Sequence, residues 1–223
     1  MASFHGIAAV CEAIAHILDT AMTEEEQNTL GLSGSTLTFS VYQSDDFGTA
    51  NTDGDRATIT AGASIFLYRV MPNLSHRTPS GRTLPDGSQQ LTQLPVDLHL
   101  IVTIRGGRAS TQNLLVGWVM RTLEDYPVIP ATVLNHAAGN LFSSPQNQAF
   151  FANDEAVELV LGEMSGEELL QLWDTLGDGD GRYQISIPYL VRNLFIDSTR
   201  SRTLGAPVQV RTADIQALTG GTR

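Results

Sequence analysis

Asp97 and His99 are the residues whose type and spacing come closest to chemistry. They stand two apart in the run PVDLHLIVTIR, so a strand would put a carboxylate beside an imidazole on one face, the pairing that orients a general base. A nucleophile is missing from the arrangement. There is no GxSxG and no GxxxxGK[ST]. Without a single lysine, neither P-loop nor Schiff-base chemistry is available. A hydrogen-bonded structural histidine is the simpler reading of His99.

The remaining polar clusters fare no better. GDGDGR (177–182) has glycines and aspartates like a calcium loop, but counting from Asp178 puts Arg182 fifth and Tyr189 twelfth, where carboxylates belong. The five histidines show no HxH, HExxH or HxxxH spacing, and Gly106-Gly107 is a turn without GxGxxG. Asp45-Asp46, Asp53 and Asp55 lie in a polar loop, and Glu24-Glu25-Glu26 reads as a solvated helix end. Arg69 and Arg77 could grip an anion, yet no second catalytic element accompanies them. The expectation is a protein that is not an enzyme, with no cofactor and no metal.

The elements that position these residues emerge from periodicity. Phe4, Ile7, Cys11, Ile14 and Leu18 recur at helical spacing and predict a helix over about 3–19. LTFSVY (37–42) reads as a strand and 43–63 as a loop. IFLYRVM, at about 64–71, alternates as a strand with Ile65, Leu67, Arg69 and Met71 on one side, then stops at Pro72-Asn73. A second loop fills 72–94. The strand 95–105 buries Val96, Leu98, Leu100, Val102 and Ile104. A helix over about 111–125 turns Leu114, Leu115, Trp118, Val119, Thr122 and Leu123 inward. Pro127 and Pro130 interrupt the chain beyond this helix, and 135–150 reads as loop.

VELVLGEM (157–164) predicts a strand, and Ser165 with Glu168 forms a capping box. The helix it opens runs to about Leu176, with Leu169, Leu170, Trp173 and Leu176 inward. The last strand, 183–196, carries Pro188 in its middle, which predicts an edge position or a bulge. The sum is an α+β fold: one domain with a mixed sheet of about five strands packed by three helices.

Composition narrows the partners. The chain has 223 residues and a net charge of −11, which disfavours nucleic acid and anionic membrane. All 13 basic residues are arginine. Residues 1–197 hold a net −14, whereas 198–223 hold +3 through Arg200, Arg202, Arg211 and Arg223 against Asp214. A basic tail on an acidic body suits an acidic partner. One cysteine, Cys11, excludes an internal disulfide and falls on the buried helix face. The first residues lack a basic, apolar export signal, so a cytoplasmic protein is expected.

Taken in order, LYRVMPN (67–73), LPVDLHLIVTIRG (94–106), LEDYPVIP (123–130), EELLQLWDTLG (167–177) and YQISIPYLVRNLFIDS (183–198) resemble the cap, or tube-terminator, family of phage-tail-like contractile injection systems. The resemblance covers the chain from the first helix to about Ser198. It implies a tail-terminator-like cap domain over 1–198 and a basic arm over 199–223. It also implies a homohexameric ring that sits on the last layer of inner tube, touches the sheath protein and stops further addition. On that reading Arg69, Asn73, His76 and Arg77 belong to a subunit or tube interface, and Arg200, Arg202 and Arg211 reach the sheath. The rivals are another tube or baseplate component, and a small α/β enzyme using His99 and Asp97.

Overall fold

The computed structural model describes residues 4–47, 59–76, 89–142, 149–176, 183–198 and 201–202. Its centre is a six-stranded mixed sheet. In chain order the strands are β1 (Thr38–Tyr42), β2 (Gly62–Pro72), β4 (Leu94–Arg105), β5 (Val128–Pro130), β6 (Ala156–Leu161) and β7 (Ser186–Ile196), and across the sheet they run β1-β2-β4-β7-β6-β5. Only β1–β2 is parallel; every other pair is antiparallel. Two further short strands, β3 (Gln89–Gln90) and β8 (Ser201–Arg202), pair with each other beyond the β4–β7 ladder, which ends at Leu94 and Ile196.

One face of the sheet carries the main core. Leu98, Leu100, Val102 and Ile104 of β4 bury there, as their alternation predicts, against α1 (Gly6–Ala21), α3 (Ala109–Asp125) and α4 (Ala131–Leu141). The other face is covered only in part. There α5 (Gly166–Leu176) and a 3-10 turn at Ser44–Phe47 close a smaller cluster of Phe47, Ile101, Trp173 and Leu176 over Phe66 and Tyr68.

Several expectations are corrected. The sheet has six strands rather than five, and there are five helices rather than three among the described residues, counting the short α2 (Glu24–Thr29). The helix α4 occupies ground that reads as loop. Its buried side is Ala131, Leu134, Ala137 and Ala138, small residues that give a faint periodic signal. Phe4 lies outside the first helix and is exposed, as are Leu114 on α3 and Leu170 on α5. Glu26 is more than a solvated end: it accepts a hydrogen bond from Trp118 Nε1 at 3.0 Å. The 43–63 stretch is not all loop, since Phe47 is buried and β2 opens at Gly62.

Pro188 sits in an interior strand, not an edge. Gly162 N–H donates to the Pro188 carbonyl at 2.9 Å, so this proline faces β6 just past the last β6–β7 pair, Leu161 with Tyr189. Its missing donor interrupts nothing. The bulge in β7 lies further on, where Arg192 and Asn193 together oppose Asp97, with Asn193 at φ 64°. Asparagine tolerates that left-handed backbone better than most residues.

Candidate assembly surface

Of the sequence-predicted residues, Arg69, Asn73 and His76 lie where β2 runs out. A bulge between Leu67 and Arg69 sets an extra residue into β2, and the side-chain phase reverses there. Arg69 therefore does not share the Ile65–Leu67 face. It pairs across with His99 and joins Tyr68 on the side of α5. Alternation alone cannot reveal such a slip.

Arg69, Tyr68 and His99 line a cavity of about 330 Å³ between the sheet and α5, with Met164, Glu168 and Leu172 on the far wall. Glu168 is fixed by the predicted capping box. Its amide donates to Ser165 Oγ at 3.1 Å, and its carboxylate accepts from the Ser165 amide at 2.8 Å. The Ser165 amide first, and its hydroxyl next, hold the carboxyl below its ordinary range, and Arg69 adds to the effect. Arg69 is exposed and makes no ion pair among the described residues.

Asp97 and His99 share this face without forming a dyad. Both Asp97 oxygens accept from Asn73 Nδ2, at 3.2 and 3.1 Å, and no hydrogen bond joins Asp97 to His99 among the described residues. His99 packs edge-on to the Tyr68 ring, centroids 6.0 Å apart. Partial burial pushes its pKa below the ordinary 6.5 and Arg69 adds to this, while Asp97 opposes it. A depressed histidine pKa means that the unfolded chain binds the extra proton more readily. Its contribution to stability is present above the unfolded pKa and is lost as pH falls through the folded one. Thermal unfolding between about pH 5 and 7 should show a decline toward acid that is shallower in His99→Gln, given His99's ordinary titration range. An unchanged slope would remove His99 as its source.

Asn73 is a structural hub. Its amide donates to the Pro95 carbonyl at 2.9 Å, its side chain donates to Asp97, and its Oδ1 accepts from the Ser75 amide at 3.1 Å. Because Asn73 N–H points to β4, the preceding Pro72 faces the open edge of β2, where its absent donor breaks no ladder bond. His76 closes the 3-10 turn Leu74–His76 and packs edge-on to Phe195 at 6.3 Å. The sequence predicts a basic loop at this place. Only its start, residues 73–76, is described, and there Leu74 is 74% exposed. The signal is present in the sequence: a leucine directly after Pro-Asn, at the tip of a turn.

Arg77, Arg200 and Arg211 lie outside the described residues, as do 177–182 and most of 78–93, and of Arg202 only the backbone is described. That backbone pairs with Gln89, so the expected arm begins as a strand on the chain's own β3. At its root Gln93 Nε2 donates to Asp197 Oδ1 at 2.7 Å. Among the described residues no group of three or more His, Cys, Asp or Glu side chains is placed to hold a metal ion, and no helix is long and apolar enough to cross a membrane.

The mixed sheet with three helices on one face and one on the other is a terminator-like fold. The chain belongs to the Pvc16 N-terminal domain family, whose model matches residues 9–210. Among solved structures it is similar to the sheath/tube terminator of an extracellular contractile injection system, PVC, in the extended state. That match has 14% identity and a TM-score of 0.57, and covers 95% of this chain and 63% of that one. It is also similar to the tube-terminating cap of the anti-feeding prophage, with 16% identity and a TM-score of 0.46, over 70% of this chain and 50% of that one. The chain thus spans less than two thirds of the length of either protein. No curated protein matches it.

Proposed function

We propose that this chain is a non-enzymatic cap of a contractile injection particle. It forms a homohexameric ring on the end of the inner tube and sheath and ends their polymerisation. What carries the reading is family membership over nearly the whole chain, together with the fold shared with a sheath/tube terminator. Arg69, Asn73, His76 and Arg77 stand at the subunit or tube contact. Residues 199–223, with Arg200, Arg202 and Arg211, act as an arm toward the sheath, following the cap domain of 1–198. Assembly takes place in the cytoplasm, without nucleic acid or membrane.

A closed ring needs two different, mutually complementary surfaces on each subunit. Asn73 serves such a contact by fixing the turn, so that the partner meets a preformed shape and less ordering entropy is lost on binding. Light scattering on the purified protein, alone and mixed with fragments of inner tube, tests the proposal. The expected species has six times the subunit mass, in solution or on tube ends. A monomer that ignores tube ends overturns it.

A further inference from the structure

Leu74 is held out into solvent by a turn that three kinds of hydrogen bond make rigid: amide to Pro95, side chain to Asp97, and side chain from Ser75. A large side chain kept 74% exposed on a fixed turn is an apolar knob of the sort that marks contact sites. Among the described residues nothing else covers it.

A complementary recess exists at the opposite end of the sheet. It is a cavity of about 290 Å³ between α1, α4 and the start of β1. Leu37, Phe39, Ala137 and Leu141 give it apolar walls, and Glu12 and Asp19 give it charge. Neither carboxylate has a hydrogen bond or ion pair among the described residues, and burial holds the Glu12 carboxyl above its ordinary range. His16 of its lining packs tilted against His136 of α4, ring centroids 4.6 Å apart, and links the two helices. β1 starts beside the first residue of β2, whereas the Leu74 turn follows the last. Knob and recess are therefore separated by the length of β2, on the order of 30 Å at 3.3 Å per residue.

We infer that the Leu74 turn of one copy docks into the α1–α4–β1 recess of the next, as the head-to-tail contact of the ring. The occupant is a second copy because the two surfaces match in character. Leu74 meets the apolar walls, while the exposed His76 meets Glu12 and Asp19. Two unlike surfaces at opposite ends of one sheet give a heterologous contact, the kind that closes into rings. The inference rests on the ring reading above.

Cysteine trapping tests it. Leu74 and Leu141 are both exposed, so Leu74→Cys and Leu141→Cys leave the fold intact, as circular dichroism will check. The native Cys11 is buried, with its thiol pushed up to about 12, and stays silent. The doubly substituted protein, oxidised alone and on fragments of inner tube, should give a ladder of covalent oligomers. The two single variants should cross-link only when mixed. Leu74→Asp should weaken assembly at least ~30-fold, the effect of losing an interface anchor. A six-subunit mass without cross-links, or Leu74→Cys dimerising by itself, overturns this contact and leaves the ring standing. A monomer in both settings overturns the ring reading, and this contact with it.

Discussion

Trp173→Ala should lower the unfolding free energy by about 3–5 kcal/mol, the range for removing a large aromatic from a packed site. Trp173 is the keystone of the smaller cluster. Its ring meets Phe47 edge-on at 5.5 Å, and its Nε1 donates to Ser186 Oγ at 3.2 Å. It seats α5 on the sheet with only Leu176 buried beside it on that helix. The neighbouring Ile101 is wholly buried beneath it and would be opened to water. Trp173→Phe separates the two contributions: it keeps most of the apolar contact and loses one hydrogen bond worth about 1 kcal/mol. Urea unfolding of the three proteins decides the matter. A loss below about 1 kcal/mol in Trp173→Ala, typical of surface sites, would mean that α5 is not held by this side chain.

The consequence reaches the assembly surface. α5 supplies Glu168 and Leu172 to the wall facing Arg69 and His99, so loosening it unsettles the ground on which β2 turns. The main core, under α1, α3 and α4, shares no buried residue with this cluster. Hydrogen exchange should therefore rise first in α5 and β2 beyond the bulge, as expected where a small unit opens ahead of the whole.

How legible this is depends on the kind of signal each element sends. β4 declares itself, because alternating aliphatics over twelve residues have no other use. The capping box of α5 does so as well, since its two hydrogen bonds are local and need no distant partner. What stays hidden is set by tertiary packing. α4 is built on alanines that bury well but carry little hydrophobic contrast. The bulges at Tyr68 and Asn193 change facing without changing composition, so nothing in the alternation puts Arg69 on its true side of the sheet. Asp97 beside His99 reads as a dyad in one dimension; in three, Asn73 claims the carboxylate. The Leu74 knob escapes notice because arginines and a histidine nearby make the loop look basic.

Gly62→Ala should be at least as damaging as the loss of Trp173, by a different route. Gly62 opens β2 with φ +132°, a backbone conformation that side chains disfavour. A Cβ there would run into the backbone of Thr38, its register partner in β1. The obstacle is main chain on both sides, so no rotamer change relieves it; β1 must leave β2 or the turn must refold. Backbone strain alone costs about 1–3 kcal/mol, and loss of the β1 pairing adds to it, since β1 carries Phe39 and Val41 into the main core. Tyr42, whose hydroxyl accepts from the Ile59 amide at 3.1 Å, would shift too. The control is Gly117→Ala on the outer side of α3, where a new Cβ meets nothing within 4 Å. There the same substitution should stabilise by about 0.4–1 kcal/mol, because alanine narrows the unfolded ensemble and favours helix. Denaturant midpoints moving in opposite directions for the two glycines would show that the first is held by geometry and the second only by chance. A harmless Gly62→Ala would instead require that β1 does not pair with β2 as described, and would remove one wall of the recess offered to the neighbouring copy.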